Sequence, residues 1–98
     1  MPLSPAEIHA LLERGMRLHR DGQTAEAALS YQQAIAGGAE AAAHDLLGVA
    51  LLDMGRVPDA LRAFRRALAW EPSRTSALGH AGNALKASGR SGDAILAY

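Results

Sequence analysis

Residues 47–64, LGVALLDMGRVPDALRAF, set Gly48, Gly55, Ala60 and Phe64 at successive steps of seven, five and four. The same ladder recurs upstream as Gly15, Gly22, Ala27 and Tyr31, and downstream as Gly82, Gly89, Ala94 and Tyr98. The copies are offset by 33 and 34 residues. A repeat of that period is one helix–turn–helix unit, too small to bury its apolar face alone, so each unit must stack on a neighbour. The ladder therefore predicts an all-α scaffold whose task is to hold another molecule.

Composition agrees. Of 98 residues 49% are apolar, mostly Ala and Leu, with one Phe, one Trp and two Tyr. Such a core suits close helix packing better than a sheet, which favours β-branched and aromatic residues. Ten basic residues balance ten acidic ones, so no net field draws the chain to nucleic acid or anionic lipid. Cysteine is absent, which removes disulfides and thiol chemistry. No apolar run approaches the roughly 18–20 residues that span a bilayer. Glu7 interrupts the place a signal peptide would use. The expected setting is cytoplasmic.

Six helices are predicted. Ser4, Pro5 and Glu7 form a capping box with Pro in the first turn, and the helix runs to about Arg20. Gly22 takes the turn, Thr24 caps the second helix, and Gly37-Gly38 stops it. The third helix spans about Glu40 to Met54 and ends at Gly55; Pro58 begins the fourth, and Pro72 forbids its continuation past Glu71. Ser73 caps the fifth. A sixth starts near Gly92 and is still in progress at Tyr98.

The ladder resembles the tetratricopeptide repeat. Residues 41–74 carry Leu47-Gly48, Ala60, Phe64 and Pro72 at that family's spacing. One domain, 1–98, is expected, with repeats at 8–40, 41–74 and 75–98, the third incomplete. The first copy is worn: Arg14 precedes Gly15 in place of Leu, and Ala39 stands near the closing-Pro site. The resemblance implies a right-handed α-solenoid of antiparallel helix pairs. Gly15, Leu18, Ala27, Tyr31, Leu47, Gly48, Leu51, Ala60, Phe64, Gly82, Leu85 and Ala94 would make its repeat packing. Ile95 and Tyr98 would form an open end, where the pattern predicts continuation into a longer protein or joining to another copy.

In this family the first helix of each unit lines a concave groove. The corresponding residues are His9, Leu12, Met16 and His19, then Ala42, Asp45, Val49 and Leu52, then Ser76, Gly79, Asn83 and Lys86. The strip grades from apolar to polar and suits a peptide or protein segment, with Asp45, Asn83 and Lys86 tuning the fit. Chaperone-binding members grip a terminal carboxylate with Lys, Asn and Arg. Leu12, Met16, Leu46, Ser76 and His80 occupy the matching places, so that clamp is missing.

Other chemistry is sparse. His9 and Glu13 share a helical face but lack a third ligand, and no two His are four apart, so neither a metal site nor any cofactor is expected. Arg62, Arg65 and Arg66 form the one basic cluster, read as a solvated face answered by Asp59 and Glu71. Trp70 is expected to pack under the following loop. No nucleophile elbow, phosphate loop or paired acid is present, which predicts a non-enzyme. The reading is a protein-binding scaffold. The alternatives are self-assembly through the open end, or a substrate-recruiting module in front of a bacterial transferase.

Overall fold

The computed structural model describes residues 2–88, and every regular element among them is a helix. These are α1 (Pro5–Arg20), α2 (Thr24–Ala36), α3 (Ala41–Asp53), α4 (Val57–Trp70) and α5 (Thr75–Ala87). Sequential helices pack against one another as antiparallel pairs, and α3 also touches α1 and α5. The sixth helix, with Gly89, Ala94, Ile95 and Tyr98, lies outside the described residues.

Glycine and an aromatic sixteen residues later set the crossing within each pair. A Cβ on Gly15 would meet Tyr31 Cε1 at 2.3 Å, and one on Gly48 would meet Phe64 Cε1 at 2.4 Å. Both rings are fully buried, as are Ala27 and Ala60 beside them. Leu47 and Leu51 join this core, Leu18 packs on its edge, and Ala81 and Ala84 of α5 extend it. A smaller cluster of Ala34, Ala39 and Ala43 packs against Ile8 and Leu11. Alanine dominates both interiors, and small side chains let helix axes approach closely. Gly82 has no neighbour within 4 Å of a built Cβ among the described residues.

The turns show why some expected caps are absent. At the end of α1, Gly22 (φ 85°) allows Gln23 N–H to donate to the Leu18 carbonyl at 2.8 Å. The Gln23 carbonyl then accepts from Ala27 N–H at 3.0 Å, opening α2. One residue thus closes one helix and starts the next, so Thr24 lies inside α2 rather than capping it. After Gly55 (φ 80°), Arg56 plays the same double part, bonding to Leu51 and Ala60. Hence Val57, not Pro58, is the first residue of α4. Ser73 does not cap α5 either. Arg74 N–H turns back to the Glu71 carbonyl at 3.1 Å, which delays the helix by one residue.

The capping box forms as expected: Ser4 Oγ accepts from Glu7 N–H at 3.2 Å, and Glu7 Oε1 accepts from Ser4 N–H at 3.0 Å. These bonds favour the ionised form and hold the Glu7 carboxyl below its ordinary value. Ahead of it, Leu3 straps onto the end of α2. Its N–H donates to the Gly37 carbonyl at 2.8 Å, and its side chain fills the space a Cβ on Gly37 would need. Trp70 corrects another expectation. It is 58% exposed at the end of α4 instead of packing under the loop.

Candidate functional site

The first helices α1, α3 and α5 lie side by side, and polar bridges join each neighbouring pair. Between α1 and α3, His19 Nε2 meets Asp53 Oδ2 at 2.5 Å. Between α3 and the α5 region, Asp45 accepts from His80 Nδ1 at 2.8 Å on one oxygen. Its other oxygen accepts from Ser76 Oγ at 2.5 Å and Arg74 Nε at 3.0 Å. Burial pushes the Asp45 carboxyl upward, but the bonds from Ser76, His80 and Arg74 outweigh it and hold the group below its ordinary 3.8. Asp45 is therefore an anion at neutral pH.

Asp45, expected to tune a ligand's fit, lies at this joint. It is only 4% exposed, and both oxygens are spent on the joint between units, so little of its charge faces outward. The remaining residues of the expected strip divide by depth. Leu12, Val49 and Leu52 are half-buried and pack against the core from its rim. Met16 stands further out, at 39% exposure. His9 is exposed and pairs along its own helix with Glu13 at 2.5 Å. Ala42 is half-buried, while Gly79, Asn83 and Lys86 are exposed. The apolar part of the strip is thus shallow, and the α5 end is polar.

Asp53, Arg74 and His80 join these bridges, although the helical-face reading gave none of them to the strip. A signal for two of them existed. His19 and Asp53 are 34 residues apart, and Asp45 and His80 are 35 apart. A His and a carboxylate one repeat length apart on successive first helices must come close when the units stack. Arg74 carried no such signal, because it reaches Asp45 from the turn before α5.

The second helices carry the basic cluster. Asp59 binds Arg62 and, at 2.7 Å, Arg56. These contacts, Arg62 foremost, hold the Asp59 carboxyl below its ordinary pKa despite slight desolvation. Glu71 pairs instead with Arg74, at 3.4 Å. Among the described residues no three His, Asp or Glu side chains cluster as metal ligands, and no helix is long and apolar enough to cross a membrane.

Residues 41–74, the α3–α4 pair, match the family model described as the tetratricopeptide repeat. No curated protein matches the chain. Repeats of this family are generally non-catalytic modules for protein–protein interaction. The matched unit and the helices packed on either side of it fit a tetratricopeptide-type repeat protein.

Proposed function

We propose that the face of α1, α3 and α5 is a groove that holds a peptide or protein segment from a partner. The observation that supports it most is the cross-tying of the three helices. The His19–Asp53 pair and the Asp45 cluster fix their relative positions, so the groove is pre-formed and little ordering cost falls on binding. Leu12, Val49 and Leu52 give it a shallow apolar floor, and Met16 adapts to an irregular ligand surface. His9, His19, Asn83 and Lys86 border it. The ligand that fits has apolar side chains toward α1 and α3 and an acidic or amide group toward Lys86.

Peptides selected from a random display library on the full chain test this reading. The expected binders carry that apolar-to-acidic order, and Met16→Asp with Lys86→Glu weakens them about tenfold or more without loss of helical content. Both positions are exposed, so the double variant spares the core, which Leu12 or Val49 substitutions would not. Binders whose footprint by NMR falls on α2 and α4 would overturn the assignment.

A further inference from the structure

The opposite side, built from the second helices, carries a cavity of about 310 Å³. Arg56, Arg62 and Arg66 line it with Asp59, above a floor that includes Leu47 and Leu51. His44 lines the same cavity, is only 7% exposed, and its Nδ1 has no hydrogen-bond partner. Asp59 is already committed to Arg56 and Arg62. Arg66 forms no ion pair among the described residues. A second hollow of about 390 Å³, lined by Arg62, Arg65 and Arg66, adjoins it along α4. Arg56 and Arg62 are answered by Asp59, but Arg66 stands over the cavity with its charge uncompensated among the described residues.

We propose that this cavity binds a phosphate monoester group, gripped by Arg62 and Arg66, with the His44 ring in the wall beneath them. Charge selects the ligand class. Three guanidinium groups against the single Asp59 carboxylate leave a surplus of two positive charges in the lining. A phosphate monoester carries about −1.5 to −2 at neutral pH, whereas a carboxylate supplies one charge. Guanidinium forks match phosphate oxygens with two parallel bonds each, and the low-dielectric floor strengthens them. The cavity's volume leaves room for part of the group's carrier. Burial, and then the Arg66 charge, keep His44 below its ordinary 6.5 and hence neutral at pH 7. A bound dianion opposes that field, so His44 itself reports occupancy.

The test follows the His44 ring signals of the full chain by NMR. Inorganic phosphate, phenyl phosphate and O-phosphoserine are added separately, against sodium chloride at matched ionic strength. The expected result is a saturable shift of the His44 signals and a rise in its pKa. Arg66→Gln and Arg62→Gln, both exposed, should each weaken binding about tenfold or more with the circular dichroism unchanged. Tighter binding of O-phosphoserine than of inorganic phosphate would identify a phosphorylated side chain as the source, and the reverse order a free phosphate; either supports the site. Shifts that chloride reproduces, or phosphate affinity unchanged in Arg66→Gln, would overturn it.

Discussion

A single methyl group on Gly48 would sit 2.4 Å from the Phe64 ring. That ring is fully buried, so it cannot swing away without opening the core. Gly48→Ala is expected to cost about 1–3 kcal/mol through overpacking. For a domain of this size the melting temperature should fall by roughly 4–8 °C per kcal/mol, read by thermal circular dichroism. Gly79 gives the contrasting case. It lies within α5, is exposed, and has no described neighbour within 4 Å of a built Cβ. Gly79→Ala should stabilise by about 0.5–1 kcal/mol, because it only removes freedom from the unfolded chain. The Gly-to-aromatic crossings were legible in the sequence because a packing constraint repeats at fixed spacing. The caps of α2 and α5 were not. Gln23 and Arg74 start those helices with backbone groups, which any residue type possesses.

At the scale of elements, α3 is the helix on which both faces depend, and two of its neighbouring residues set opposite sides of the molecule. His44 turns toward the second helices, and Asp45 joins the first ones. Both have lowered pKa values in the folded state, so both make stability decline with acid, in different windows. His44 is harder to protonate when folded. The unfolded chain therefore takes up the proton first, and stability should begin to fall as pH drops below about 6.5. The depressed Asp45 carboxyl contributes stability that is present above its unfolded value near 3.8 and is lost as pH falls through the lower folded value. Urea midpoints measured from pH 8 to 2.5 should show both limbs. His44→Gln should flatten the first. Asp45→Asn should flatten the second and cost about 1–3 kcal/mol at neutral pH, as buried charge-assisted bonds weaken. A sequence shows the two residues as adjacent polar positions on one helix. Their different fates follow from which helix lies against each, and that depends on stacking.

Across the whole molecule, the balanced total charge conceals a local cluster of arginines. Arg56, Arg62, Arg65 and Arg66 gather on the side of the second helices, while the first helices are joined by neutralising His–carboxylate and Arg–carboxylate bonds. Composition implies no overall field; the basic cluster is local to one stretch of sequence, whereas the bridges between first helices exist only once residues 34 and 35 apart come into register. The same stacking predicts how the protein should unfold. Phe64 fills the Gly48 crossing in its own unit and also meets the next unit, with its ring 5.7 Å from that of His80. In a repeat array, stability is shared between units through nearest-neighbour contacts of this kind. Phe64→Leu should therefore weaken α4 and α5 by about 1–3 kcal/mol and speed their amide exchange by roughly 5- to 150-fold. The α1–α2 pair has its own Gly15–Tyr31 crossing, so its most protected amides should change less. Native-state hydrogen exchange separates the two behaviours. An equal loss of protection in all five helices would mean that the units open only together, and that Phe64 supports one global core rather than a joint between neighbours.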